Sequence, residues 1–110
     1  MTIVSDDTVS KALAYLAEDV HPLANAEKSV LFAEKATSEA FAELYLKTDG
    51  TAKERESRVL LDPLYQAARQ VEIEAHAERM RHKRRAEAAE KIIAVWQSEN
   101  ANARAAERIR

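Results

Sequence analysis

The sequence predicts an all-α protein: an antiparallel helical hairpin with a short N-terminal helix and one long, coiled-coil-like C-terminal helix. Three observations carry this. Alanine, glutamate, lysine, leucine and arginine make up about 56% of the 110 residues, a level that marks long helices. Glycine occurs once and proline twice, too few for the turns of a sandwich, a barrel or a Rossmann-type sheet. Apolar residues recur at spacings of three and four rather than two. The whole chain, 1–110, is expected to be a single helical domain, with helices over about 8–20, 22–47, 52–60 and 63–105 and a tail at 106–110.

The first helix is expected to start after Asp6-Asp7-Thr8, whose short oxygen-bearing side chains can accept the open N–H groups of a first turn. Val9, Ala12, Leu13, Leu16, Ala17 and Val20 then share a face. His21 precedes Pro22, and the residue before a proline is pushed out of the helical region, so the chain breaks there. His21 is read as a cap or packing residue rather than a ligand.

The second helix, over 22–47, carries Leu23, Ala26, Val30, Ala33, Thr37, Ala40 and Leu44 as its stripe, widened by Phe32, Phe41 and Tyr45. The alanines let another helix approach closely, and the aromatics supply area. Thr48-Asp49-Gly50 ends it, with the single glycine where a left-handed cap is wanted. Thr51 followed by Glu54 is a capping box that starts the next helix at once, over 52–60. Asp62-Pro63 then reads as an N-cap followed by proline at the first helical position.

From Pro63 to about Ala105 no glycine or proline intervenes. A straight helix of ~43 residues measures about 65 Å, against a radius of gyration near 13 Å for a compact chain of this size. The arm is therefore expected either to bend or to lean with its ends on another copy or another protein. Leu61, Leu64, Tyr65, Ala68, Val71 and Ala75 form one apolar stripe, and Ala89, Ile92, Ile93 and Trp96 another. Between them the seam meets Glu78, Arg79, His82, Arg85 and Ala86. Either the seam stutters and Met80 is the buried residue, or the charged middle is exposed to something acidic. Leu61, Leu64, Tyr65, Ile92, Ile93 and Trp96 are the expected interface residues of a homodimer or larger assembly.

The net charge of −2 hides an asymmetry. Residues 1–50 carry four basic and nine acidic side chains, whereas residues 51–110 carry thirteen and ten. The steepest feature is His76-Ala-Glu-Arg-Met-Arg-His-Lys-Arg-Arg85, in which Arg79, Arg81, Lys83, Arg84 and Arg85 face one negative charge. Such a cluster is an electrostatic footprint for phosphate or for an acidic protein surface, and equally the solvated face of a long helix. A sequence pI near 5.9 argues against a dedicated high-affinity DNA-binding protein. The acidic half offers an alternative, with Glu27, Glu34 and Glu39 mimicking phosphates toward a basic groove.

No catalytic chemistry is marked. There is no cysteine, Gly-rich phosphate loop, nucleophile elbow or zinc motif. Glu72 with His76 and Glu78 with His82 are i,i+4 pairs. The di-iron pattern uses a spacing of three, repeated on a second helix, and no second helix here carries histidine, so each pair is read as a surface charge contact. Glu39 and Glu43 share a face without any sign of the unlike environments acid–base work needs. The expectation is a non-enzyme with no metal, no cofactor and no small-molecule substrate. No apolar run approaches the ~20 residues of a membrane span. The start, Met1-Thr2-Ile3-Val4-Ser5, lacks the features of a signal peptide, so a cytoplasmic location is expected.

Several short motifs together carry a resemblance: Ala12-Leu13-Ala14-Tyr15-Leu16-Ala17-Glu18 with Pro22, then Gly50-Thr51 with Glu54-Arg55, then Tyr65. Ala89-Glu-Lys-Ile-Ile-Ala-Val-Trp-Gln-Ser98 and Ala101-Asn-Ala-Arg104 follow. The chain resembles small helical proteins encoded by bacteriophages and prophages, often near recombination and replication genes and mostly without assigned activity. Gln97 stands where that resemblance implies an arginine, which weakens a phosphate-binding role for this segment. The expectation is a non-enzymatic, phage-type binding protein in the host cytoplasm that docks through the basic run Arg79, Arg81, Lys83, Arg84 and Arg85 on a nucleic-acid-handling protein or on nucleic acid. The alternatives are an inhibitor of a host defence complex or host enzyme, acting through the acidic face, and a structural oligomer.

Overall fold

The computed structural model describes residues 4–109. These form four helices and no strand: α1 (Asp6–Leu16), α2 (Pro22–Lys47), α3 (Ala52–Leu60) and α4 (Pro63–Ile109). The all-α architecture with a short N-terminal helix and a long C-terminal one is the one the composition implies.

Each helix boundary has a chemical cause. The N-cap of α1 is Ser5, whose hydroxyl accepts the Thr8 N–H at 3.2 Å. Asp6 and Asp7 therefore lie inside the first turn, where their charge meets the positive end of the helix dipole, rather than before it. The helix also stops at Leu16, four residues short of expectation. Val20 is consequently not part of its face and is 71% exposed. His21 caps α2: its Nδ1 accepts the Leu23 N–H at 3.1 Å, with Pro22 between them needing no acceptor. At the other end of α2 the Arg55 guanidinium donates twice to the Tyr45 carbonyl, at 3.2 and 2.6 Å, satisfying a group left open by the end of the helix. Gly50 takes φ +120°, and Thr51 and Glu54 complete the capping box of α3. Asp62 Oδ1 accepts the Leu64 N–H at 2.8 Å and starts α4. That helix then runs uninterrupted through Ile109, so the expected tail is helical as far as it is described.

The chain divides into two compact units, one of residues 1–23 and 81–110, the other of residues 24–80. In the first, α1 runs antiparallel to the second half of α4: Tyr15 lies beside His82 and Arg85, while Asp6 lies beside Trp96. Its core is Ala12, Tyr15, Ala86 and Ala89, flanked by Leu16, Leu23, Ile92 and Ile93. Buried alanines on both helices permit the close approach. In the second unit, α2 runs antiparallel to the first half of α4: Glu34 meets His76, Thr37 bonds the Ala68 carbonyl at 3.3 Å, and Phe41 packs edge-on against Tyr65 at 6.0 Å. Ala26, Val30, Ala33 and Thr37 are the buried face of α2, and Val59 of α3, at 1% exposure, is the most completely buried side chain.

Three packing expectations need correction. Phe32 is 61% exposed: it is one residue before the buried Ala33, about 100° around the helix, and Lys28 lies over its ring at 5.7 Å. Met80 is 42% exposed, so it is not the buried residue of a stutter; the seam in the second half of α4 continues instead through Ala86 and Ala89. Val71, with Leu61 and Leu64, lies on the surface, and the inward side of the first half of α4 is carried by the half-buried Tyr65, Ala68, Glu72, Ala75 and His76. No described helix is long and apolar enough to cross a membrane.

Candidate functional site

Two groupings of polar side chains stand out, one in each unit. In the first unit, Arg81, Lys83, Arg84 and Arg85 are all exposed on α4. At about 100° per residue, Arg81, Arg84 and Arg85 fall within roughly 100° of one another, whereas Lys83 projects from the other flank. The same geometry places Lys91 about 20° from Arg84, with Ala88 between them, so that Arg81, Arg84, Ala88 and Lys91 make one stripe. Glu87 borders it. Lys91 was not among the residues singled out from sequence, because it lies outside the dense basic run; its i+7 spacing from Arg84 is the signal that finds it. Arg85 is anchored: its guanidinium sits 4.5 Å over the Tyr15 ring, which also meets His21 edge-on at 4.9 Å. Between Arg85 and Lys11 lies a shallow cleft of about 260 Å³ floored by Ala12, Ala88 and Ala89. Arg79 belongs to the other unit, is half-buried, and holds its Nε away from solvent, which separates it from the exposed cations.

The residues expected to face another molecule divide. Ile92 and Ile93 pack against the core of the first unit, and the Trp96 indole N–H reaches Asp6 Oδ1 at 3.4 Å. Tyr65 is half-buried on Phe41, while Leu61 and Leu64 are exposed. On α2, Glu27, Glu34 and Glu39 are exposed but do not form a single row: Glu27 and Glu34 share a face, and Glu39 is turned about 120° from Glu27 and approaches Lys35 at 3.8 Å.

The second grouping lies in the other unit. Glu34 of α2 and Glu72 and His76 of α4 bring one ligand atom each within 4.8 Å of one another. His76 Nε2 lies 3.3 Å from Glu34 Oε1 and 3.9 Å from Glu72 Oε1. Arg69 donates to the same Glu72 oxygen at 3.0 Å. The Thr37 hydroxyl beside it, followed by Arg69 and His76, holds the Glu72 carboxyl below the usual carboxylate range, against partial burial that acts the other way. Thr37 has one proton and three acceptors around it, since its hydroxyl also lies 3.0 Å from the Ala33 carbonyl and 3.3 Å from that of Ala68. The cluster borders a cleft of about 580 Å³ whose walls include Thr37, Phe41 and Tyr65. The Glu72–His76 pair was visible in sequence as i,i+4. What completes it is a carboxylate from a second helix rather than a second histidine, and no sequence spacing places Glu34 there.

Compared with known proteins, the chain matches no family model, no curated protein and no solved structure.

Proposed function

We propose that the protein is a non-enzymatic helical binding protein, of the small phage-encoded kind its sequence resembles, that docks on an acidic partner through the basic face of α4. The observation that carries the reading is the exposed stripe of Arg81, Arg84 and Lys91, flanked by Arg85 on its Tyr15 platform. A cation held over an aromatic ring loses less freedom on binding than one on a free stem, and cations spaced by helical turns meet carboxylates or phosphates spaced along a partner. The partner we favour is a nucleic-acid-handling protein with an acidic surface, because the whole-chain pI of about 5.9 is unlike that of a dedicated nucleic-acid binder.

The test is capture by the intact chain against a variant carrying Arg81→Glu, Arg84→Glu and Lys91→Glu. Arg85 is left in place because it is part of the α1–α4 packing. Loss of capture with unchanged helicity by circular dichroism supports the reading; undiminished capture refutes it. A gel shift with single- and double-stranded DNA across a salt series separates the two partner classes. Four phosphate contacts give a slope of about −3.6 in log K against log salt on duplex, whereas a protein partner leaves DNA unshifted.

A second reading, self-association, is favoured by a separate observation. Leu61, just before α4, and Leu64 and Val71, two turns apart on one face of it, are all exposed. A second copy of this chain is the occupant we propose for that surface.

A further inference from the structure

We propose that Glu34, Glu72 and His76 form a binding site for a divalent transition-metal ion of the zinc type. The proposal is independent of the basic stripe and lies wholly within the unit of residues 24–80.

The geometry is that of a ligand set. Zinc is held at about 2.0–2.2 Å by carboxylate oxygen and imidazole nitrogen. A tetrahedral ion at that distance keeps its ligands about 3.3–3.6 Å apart. The observed separations from His76 Nε2 are 3.3 Å to Glu34 and 3.9 Å to Glu72, so small rotamer adjustments close the site. Two of the ligands stand one helical turn apart on α4, the spacing by which zinc-protease helices present a pair of ligands on one face. The third comes from the facing helix, so the site forms only when the hairpin does.

The surroundings favour the ion. Two carboxylates neutralise a divalent charge. The Glu72 side chain is only 12% exposed and is oriented by Arg69 at 3.0 Å, the kind of outer partner that fixes a ligating carboxylate. Arg69 donates to Glu72 Oε1, the oxygen that lies 3.9 Å from His76, so the ion displaces this half-buried ion pair or the carboxylate turns to offer Oε2. Three protein ligands beside an open cleft leave a fourth position for water. The imidazole sets the metal class: Mg²⁺ and Ca²⁺ take oxygen ligands, whereas Zn²⁺, Co²⁺, Ni²⁺ and Cu²⁺ accept imidazole, with affinity rising toward copper.

The experiment is calorimetric titration of the intact, chelator-treated chain with Zn²⁺, repeated with Mg²⁺. One Zn²⁺ per chain is expected, together with a rise in melting temperature, and no Mg²⁺ binding. Glu34→Gln, Glu72→Gln and His76→Ala are each expected to weaken Zn²⁺ at least tenfold. His21→Ala and His82→Ala, which change the other two histidines, are expected to leave it within twofold. On Co²⁺ loading, intense visible absorption bands of a four-coordinate site are expected and should vanish in His76→Ala. His76 is exposed enough for its loss to be tolerated by the fold, and circular dichroism of each variant checks this. Absence of Zn²⁺ binding, or binding that survives both His76→Ala and Glu34→Gln, overturns the proposal and leaves the cluster as a histidine–carboxylate ion pair. Charge reversal of the basic stripe is expected to have no effect on Zn²⁺ affinity.

Discussion

At the scale of single residues, backbone geometry fixes what several positions can hold. Gly50 has φ +120°, and a Cβ placed there would lie 2.7 Å from Glu54 Oε2, one half of the α3 capping box. Gly50→Ala is therefore expected to cost about 1–2 kcal/mol through the backbone conformation alone, with a further loss if Glu54 is pushed off its cap. Thr51→Ala removes the acceptor for the Glu54 N–H at 3.2 Å and is expected to cost about 1 kcal/mol. Urea unfolding of the two variants checks both values. Tyr15 separates ring from hydroxyl. Its O–H reaches the His82 carbonyl at 3.5 Å, at the limit of a hydrogen bond, whereas its ring is buried and touches both His21 and Arg85. Tyr15→Phe is expected to cost no more than about 0.5 kcal/mol, and Tyr15→Ala about 3–5 kcal/mol. Equal losses in the two variants would show that the hydroxyl, not the ring, holds α1. These residue-level features were unequally legible beforehand. The glycine cap and the capping box were read directly, because both depend on neighbours within four positions. Ser5 as the first cap, and His21 as a cap and ring partner at once, depend on which of several adjacent polar groups wins the terminal N–H, and composition does not decide that.

At the scale of elements, the helices were legible where chain chemistry punctuates them and illegible where packing does. The bounds of α2 and α3 follow from Pro22, Gly50, Thr51 and Asp62, and the structure keeps them. The C-terminal end of α1 has no such signal. Val20 extends the apolar spacing, but the helix stops at Leu16 and Val20 is exposed, because nothing in its own unit covers that turn. In the first half of α4 the apolar spacing points to Leu64 and Val71, with Leu61 just before the helix, and all three are exposed, whereas the seam positions Ala86 and Ala89 of its second half are buried as that spacing implies. Small residues win where two helices meet closely, since a leucine there would hold them apart. This sets a test at element scale. Ala89→Leu adds side-chain volume to a core whose other members are Ala12, Tyr15 and Ala86, and overpacking of this kind costs about 1–3 kcal/mol. The expected signature is faster amide exchange through α1, with α3 unaffected. Val59→Ala is the counterpart in the other unit. It removes two buried methyls at the most enclosed position and is expected to cost about 2 kcal/mol, with the loss read in α3 and α2. Uniform exchange changes across all four helices in either variant would contradict the division into two units.

At the scale of the whole molecule, the proposed second copy has its rationale in the balance of buried and exposed apolar surface among the described residues. Five of the nine buried hydrophobic residues among those described are alanines, each of which removes little apolar area from water. Leu31, Phe32, Leu46, Leu61, Leu64 and Val71 meanwhile remain exposed. A chain of 110 residues with so alanine-rich an interior gains stability from association in proportion to how much of that remaining surface a partner covers. If a second copy covers Leu61, Leu64 and Val71, folding and assembly are linked by mass action, and the melting temperature rises with protein concentration. Sedimentation equilibrium is expected to give a mass above 12.4 kDa at micromolar concentration and a fall toward it on dilution. Leu64→Glu combined with Val71→Glu is expected to remove both the mass increase and the concentration dependence. Because the two positions are exposed, the helicity of the dilute chain should be unchanged. A melting temperature constant over a hundredfold range of concentration, with a monomer mass throughout, would show that the exposed leucines are covered by no second copy. The basic stripe of α4 would then be the docking surface, and it suits an acidic partner rather than an apolar one.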